Sequence, residues 1–434
     1  MRVMCLRFHV PEREEMEAAT LVRGELRLAE LLLKRRVRAV FQPIVALDDG
    51  QVVGYEALAR GPEGTRYERP DILFAQARME GRLAELDWAC RVAAVTSATA
   101  AGIRPPLALF VNVEPDALDV ATGDRTAALA WEAARDELRI VLEITERALT
   151  TRPAELLREI GRAREHGWGI ALDDVGADAR SLALMPFLRP DVIKLDLRLV
   201  QQHPTRELAK IVNAVRAEAE RSGATILAEG VETDEHLERA QALGATLGQG
   251  YLFGRPGPLG SLRPSSGIGL PVAHDRFVPS TPFDLIGRLA SPRVSRKPLL
   301  IEMSKQLETE AADIGETAIV TAAFQEARFF TPLTRRRYDD LARRTAFVAV
   351  LAAEMGPEPA PAVRGVALDP SDPLRGEWAL AVVAPHFAAC LSARDLGDSG
   401  PDEERRFEYV LTFDRTLAIA AAESMLARVT SHSC

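Results

Sequence analysis

The chain has 434 residues, with 54 basic and 63 acidic side chains for a formal net charge of −9, and it is 47% hydrophobic and 27% charged. That length predicts two domains, because an α/β barrel runs to about 250 residues as one unit. The acidic balance excludes the basic face of a nucleic-acid polymer binder, and the apolar share excludes disorder along the whole chain.

Cys5, Cys90, Cys390 and Cys434 lie far apart with no CxxC or Cys/His pairing, so neither a disulfide framework nor a structural zinc is expected. Residues 1–16 carry charges and no signal-peptide core. No apolar run reaches the roughly 20 residues of a membrane span. A cytoplasmic protein without a membrane partner is expected.

In chain order, residues 1–21 read as a lead-in and 25–37 as an amphipathic helix. From there to residue 258, short apolar runs alternate with alanine-rich helical stretches. The runs are 39–47, 52–60, 107–114, 139–146, 169–175, 192–197, 225–232 and 246–253. Buried strands alternating with helices predict a parallel sheet covered by helices, and eight of them fit a TIM-like (β/α)8 barrel. Only Asp48-Asp49-Gly50-Gln51 separates the first two runs. That is hairpin chemistry, so one of the two strands is expected to run antiparallel.

Residues 259–281, rich in Gly, Pro and Ser, read as a linker. Residues 282–430 read as a smaller α/β sensory domain. Its expected helices are near 297–312, 337–355 and 415–429, and its expected strands near 317–324, 363–368 and 377–384.

Catalytic groups of such a barrel sit at the C-terminal strand ends. The polar residues there are Glu56 and Arg60, Asn112 and Glu114, Glu143 and Glu146, Asp173 and Asp174, Lys194 and Asp196, Glu229 and Glu232, and Gln249. One glutamate at a strand end is ordinarily a solvated loop residue; the set carries the weight. So many carboxylates at one mouth repel unless cations neutralise them. All are oxygen donors, the preference of Mg2+, Mn2+ or Ca2+. Asp173-Asp174 after an apolar run is expected to mark the strand's end, where both carboxylates can turn to one side. Lys194 sits inside Val192-Ile-Lys-Leu-Asp196, where a buried lysine needs a partner; Asp196 is the bland choice. These residues suit two-metal hydrolysis of a phosphodiester or related ester.

The motifs Phe41-Gln-Pro-Ile-Val45, Tyr55-Glu-Ala-Leu-Ala-Arg60, Val111-Asn-Val-Glu-Pro115, Leu142-Glu-Ile-Thr-Glu146, Leu172-Asp-Asp174, Ile193-Lys-Leu-Asp196, Ala228-Glu-Gly-Val-Glu-Thr233 and Gly248-Gln-Gly-Tyr251 follow one another in a familiar order and spacing. Over residues 22–258 the chain resembles the EAL-domain cyclic-di-GMP phosphodiesterases, which open cyclic-di-GMP to linear pGpG. The resemblance implies two Mg2+ or Mn2+ ions per site, with Ca2+ inhibiting. It implies that Glu56, Asn112, Glu143 and Asp173 hold the first ion, with Asp173 shared, and that Asp174 and Glu229 complete the second. Lys194 would contact the hydrolytic water, and Glu232 would join Glu229 in the catalytic set. Gln42, Arg60 and Gln249 would meet the dinucleotide, and Glu146 would anchor the loop after the aspartate pair. It also implies a homodimer through the barrel.

That loop departs from the family's Phe-Gly-Thr/Ala-Gly-Tyr-Ser-Ser-Leu: here it reads Val175-Gly-Ala-Asp-Ala-Arg-Ser-Leu182. The departure leaves a second reading, a weakly catalytic receptor that binds the intact dinucleotide. Residues 282–430 resemble the DICT domain, a sensory module whose signal the resemblance does not name.

Overall fold

The computed structural model describes residues 27–117, 125–145, 147–260, 280–288, 291–399 and 401–430. The lead-in, most of the linker and Glu146 lie outside the described residues. So do Cys5 and Cys434, while Cys90 and Cys390 are unpaired. Among the described residues no helix is long and apolar enough to cross a membrane.

Eight strands close a barrel in sequence order: β1 Arg38–Ala46, β2 Val52–Arg60, β3 Ala108–Asn112, β4 Arg139–Ile144, β5 Gly169–Val175, β6 Val192–Leu195, β7 Thr225–Ala228 and β8 Leu247–Gly248. β1 runs antiparallel to both neighbours, β2 and β8. The expected hairpin is present, with Gly50 in the left-handed region at φ +69°. The first helix is shorter than expected, Leu28–Leu33.

The pleat explains how the mouth is furnished. Side chains alternate across a strand, so residues i and i+2 share a face. Ile44, Val53, Phe110, Val141, Ala171, Val192, Leu227 and Leu247 belong to one buried cluster inside the barrel. Two residues further along, the same inward face carries Asn112, Glu143, Asp173, Lys194, Glu229 and Gln249. Because β1 runs the other way, Gln42 lies two residues before Ile44. On β2 a register irregularity opposite Ile44 and Val45 resets the alternation, so Glu56 faces inward opposite Gln42. The intervening residues, Leu109, Leu142, Ile170 and Ile193 among them, pack outward against the helices.

The second domain is a seven-stranded sheet in the order β12-β11-β10-β13-β14-β15-β9. Its strands are β9 Arg293–Arg296, β10 Ile319–Glu326, β11 Phe347–Ala353, β12 Arg364–Ala367, β13 Glu377–Val383, β14 Ala388–Asp395 and β15 Arg406–Thr412. One face carries the helices Lys297–Ile314 and Pro332–Arg344. The other packs on the helices Pro282–Gly287 and Arg415–Leu426. The expected helix over 337–355 is wrong: a helix ends at Arg344, and 347–353 is the interior strand β11. Phe347-Val-Ala-Val-Leu-Ala-Ala353 is buried throughout, and such a run lacks the alternation that separates strand from helix.

The terminal helix Arg415–Leu426 lies between this sheet and the barrel helices Pro153–Glu165 and Arg180–Leu188. Glu423 on it is 7% exposed and meets Arg189 Nη2 at 3.3 Å. Burial pushes the Glu423 carboxyl up from 4.5 to about 7, against the pull of Arg189. The folded chain therefore holds a proton that the unfolded chain has lost between those values, and stability falls as pH rises through that window. Glu423→Gln removes this dependence; Arg189, partly exposed, is then hydrated. We expect the variant to melt roughly 2–4 °C higher than the parent at pH 8, about 1 kcal/mol for a cooperative unit of roughly 150–250 residues, and equally at pH 4.5. Parallel melting curves for the two across pH 4.5–8 would contradict the assignment.

Candidate active site

Lys194 is the centre of the mouth. It is 1% exposed, and its Nζ lies 2.6 Å from Glu143, 2.8 Å from Asp173, 2.9 Å from Glu229 and 3.8 Å from Glu56. Burial alone would lower its pKa, but these four carboxylates outweigh it and hold the ammonium well above its ordinary value. Lys194 is thus a fixed cation. The bland partner is a correction: Asp196 instead caps the helix Leu197–Gln201 and pairs with Arg198.

Amides hold Glu56 from two sides. Asn112 Nδ2 donates to its Oε1 at 3.0 Å, and Gln249 Nε2 donates to its Oε2 at 2.5 Å. Gln249 also donates to Gln42 Oε1 at 3.1 Å, and Gln42 donates to the Gly254 carbonyl. Gln42 and Gln249, read as dinucleotide contacts, are buried here; Gln249 orients the Glu56 carboxylate and Gln42 orients Gln249.

Asp173 and Asp174 do not end their strand. β5 runs on to Val175, and the pairing with β6 shifts register between Leu172 and Val175. Asp174 takes φ +54°, a left-handed conformation that aspartate tolerates better than most residues. This irregularity, rather than strand termination, brings both carboxylates to the mouth. Oxygens of Asp173, Asp174 and Glu229 lie within 4.8 Å of one another.

Four carboxylates thus share one ammonium, and burial pushes Glu143 well above the ordinary carboxylate range and Glu229 up to about 8. Glu143 Oε2 is buried without a hydrogen-bond partner. Surplus negative charge, an orphaned oxygen and an all-oxygen donor set fit hard divalent cations.

A cavity of about 500 Å3 opens beside this centre, lined by Arg60, Asn112, Glu114 and Asp174. Arg60 reaches its wall while donating to the Ala59 carbonyl. Glu114 lies 3.6 Å from Arg78 and 4.0 Å from Arg147. Glu232 is exposed, its backbone N–H donating to His236 Nδ1, and stands apart from the carboxylates gathered on Lys194.

Sequence reasoning missed Asp87 and Arg91. This buried pair on the helix Leu83–Ala100 fixes the end of β3, because Asp87 Oδ1 accepts the Glu114 N–H at 3.0 Å. The available signal was an acid and a base four residues apart on an apolar helix face.

The divergent loop is held by its own hydrogen bonds. Asp178 Oδ1 accepts the Arg180 N–H at 2.9 Å, its carboxylate pairs with the Arg180 guanidinium, and Ser181 Oγ donates to the Asp178 carbonyl at 2.7 Å. Asp178, Arg180 and Thr150 form one wall of a cleft of about 770 Å3, and Glu316, Arg343 and Arg364 of the second domain form the other.

A family model for the EAL domain matches residues 25–256, and one for the DICT domain, described as a sensory domain in diguanylate cyclases and two-component systems, matches residues 285–396. The cyclic di-GMP phosphodiesterase RocR of Pseudomonas aeruginosa is 34% identical over 224 residues, 51% of this chain and 57% of RocR. The cyclic di-GMP phosphodiesterase NbdA of the same organism is 32% identical over 244 residues, 55% of this chain and 31% of NbdA. The chain therefore spans little more than half of one curated relative and about a third of the other. Among solved structures, a manganese and cyclic-di-GMP complex of Klebsiella pneumoniae BlrP1 aligns at 28% identity with a TM-score of 0.45, covering 57% of this chain and 67% of that one. A TIM-like barrel with an inverted first strand, its mouth lined by the family's motifs and followed by a DICT domain, makes this chain a member of the EAL-domain family.

Proposed function

We propose that the barrel hydrolyses cyclic-di-GMP to linear pGpG with two divalent ions and that the DICT domain regulates it. The observation that carries this reading is the buried Lys194 ringed by Glu56, Glu143, Asp173 and Glu229. Two Mg2+ or Mn2+ ions would supply Lewis-acid activation of the water and of the departing oxygen. Glu56, Asn112, Glu143 and Asp173 are the residues to hold one, and Asp173, Asp174 and Glu229 the other. Lys194, permanently charged, is the residue to contact the hydrolytic water once the ions take up the carboxylates that now engage its N–H groups, and Arg60 carries the charge that meets a phosphate. Glu232, exposed in this structure, is assigned to the same chemistry. A homodimer and a cytoplasmic location belong to the same reading.

The experiment is incubation of the whole chain with cyclic-di-GMP and Mg2+ or Mn2+, followed by chromatography for pGpG. Binding without product supports the second reading, a receptor, which the divergent loop 175–181 favours. Neither binding nor product defeats both.

Asp178 gives the loop its own test. It fixes the turn that follows Asp174, and a displacement of about 1 Å at a reacting centre costs on the order of a hundredfold. Asp178→Ala is expected to lower kcat roughly three- to tenfold with KM within twofold. An unchanged kcat would make the turn neutral. A phenylalanine at 175, the family's residue, would not fit as the chain stands. Val175 is wholly buried, and overpacking there costs about 1–3 kcal/mol.

A further inference from the structure

We propose that the second domain binds a neutral, planar aromatic molecule with one hydrogen-bonding group, in a cavity on the face of its sheet turned away from the barrel. The cavity, about 450 Å3, lies between the helices Lys297–Ile314 and Pro332–Arg344 and strands β10, β13 and β15. That volume is within the usual range for small-molecule sites. This inference does not rest on the reading of the barrel.

Three observations set the ligand's chemistry. Aromatic residues make up 6% of the chain, yet Phe324, Phe329, Tyr338, Trp378 and Phe407 all line this one cavity. Their rings meet edge to face, as Phe324 does Tyr338 at 5.9 Å and Trp378 does Phe407 at 5.9 Å between centroids. A flat π-system inserted among them gains offset and edge contacts that an aliphatic chain cannot match.

The cations at the cavity are already paired. Lys297 bonds Asp402, Lys305 Nζ lies 2.6 Å from Glu302, and Arg337 Nε lies 2.8 Å from the buried Glu308. Arg405 bonds Asp395 and lies 3.0 Å from Asp402. An anionic ligand would have to break one of these pairs or bring an unbalanced charge out of water, and a cationic one would meet the exposed Glu403 at the rim rather than a partner among the rings. A neutral one does neither.

Ser304 supplies the polar contact. It lines the cavity at 6% exposure, and its hydroxyl is buried with no hydrogen-bond partner. Buried polar groups are rarely left so. A hydroxyl both donates and accepts, so one N–H, O–H or carbonyl on the ligand satisfies it. The other hydroxyls of the wall are already committed, Tyr338 to Glu308 and Thr331 and Thr334 to each other at 3.0 Å.

Isothermal titration of the full chain with indole, a neutral planar probe with one N–H, tests this. We expect saturable binding of one indole per chain. Ser304→Ala should weaken it roughly two- to tenfold, the value of one net hydrogen bond, and Trp378→Leu at least fivefold. Indole-3-acetate should bind at least tenfold more weakly than indole. Absence of saturable indole binding, or binding that Ser304→Ala leaves intact, overturns the site. Equal binding of the carboxylate analogue overturns the neutral class. Ser304→Ala removes one oxygen and decides the matter should Trp378→Leu fail to fold. Titration reports on this domain directly, so an inactive barrel leaves the result interpretable.

Discussion

Excess EDTA is expected to abolish the proposed hydrolysis of cyclic-di-GMP, and Mg2+ or Mn2+ to restore it. The expectation follows from charge. Glu56, Glu143, Asp173 and Glu229 surround Lys194 at 2.6–3.8 Å, with Asp174 close by. One ammonium leaves that group net negative even with burial favouring protons on Glu143 and Glu229, and a phosphodiester brings a further negative charge to it. Without added cations the substrate is repelled and nothing stabilises the departing oxygen, so the residual rate should be below about 1% of the parent. Ca2+ should fill the site and inhibit. Its bonds to oxygen, about 2.3–2.6 Å, are longer than the roughly 2.0–2.1 Å of Mg2+, and its geometry is looser. Binding also stabilises the fold by mass action, so Mg2+ and Ca2+ should both raise the melting temperature while only Mg2+ supports turnover. Full activity in chelator would defeat the two-metal reading outright. Equal turnover with Ca2+ would defeat the part that depends on coordination geometry.

Much of this mouth was legible in the sequence because two periodicities coincide there. On four strands the last inward-facing apolar residue is followed two positions later by a charged one: Val141 by Glu143, Ala171 by Asp173, Val192 by Lys194, Leu227 by Glu229. The pleat alone sends both members of each pair into the barrel. What stayed hidden depends on contacts between strands. The register shift at Asp173-Asp174 is a property of β5 against β6, and no pattern within β5 announces it. Likewise Lys194 finds its carboxylates on β4, on β5 and just past β7 rather than two residues further along its own chain segment. Asp87 acts at β3 from a helix, through one backbone N–H. In the second domain, β11 is buried on both faces between parallel neighbours, which erases the alternation. A stretch of Val, Ala and Leu adjoining a helix then reads as more helix.

The contacts between the two domains give the proposed regulation a material path. Arg189 ends the helix Arg180–Leu188, which follows directly on the Asp178 turn, and it reaches Glu423 on the terminal helix of the second domain. Arg364, on β12, donates to the Thr150 carbonyl across the cleft that Asp178 and Arg180 also line. A shift of the second sheet would therefore press on the segment that sets the conformation of Asp174. The Asp178 and Glu423 substitutions probe the two ends of that segment separately.

Lys194→Ala should cost the chemical step far more than it costs binding. Lys194 is enclosed by Glu143, Asp173 and Glu229, and none of its contacts is with the wall of the cavity beside Arg60. Its loss therefore leaves the dinucleotide's charge and shape partners in place. It removes a preorganised donor at the reacting oxygens, and losing one such donor costs on the order of 10²–10³ in rate. The substitution also leaves buried carboxylates without their cation. Removing one partner of a buried pair destabilises by about 3–5 kcal/mol, so the metal-free variant should melt well below the parent. Divalent ions should close most of that gap, because they neutralise the same carboxylates. Lys194→Arg should not rescue turnover: the guanidinium is broader and planar, and the ammonium is fully enclosed. The measurements are cyclic-di-GMP affinity in Ca2+ and single-turnover hydrolysis in Mg2+. Affinity within about threefold of the parent, with the single-turnover rate down at least a hundredfold, is the expected pair of results. Lost affinity with an unchanged single-turnover rate would make Lys194 a binding residue. A variant that melts as far below the parent with Mg2+ as without it would show that the lysine's charge is structural in its own right, rather than interchangeable with that of the ions.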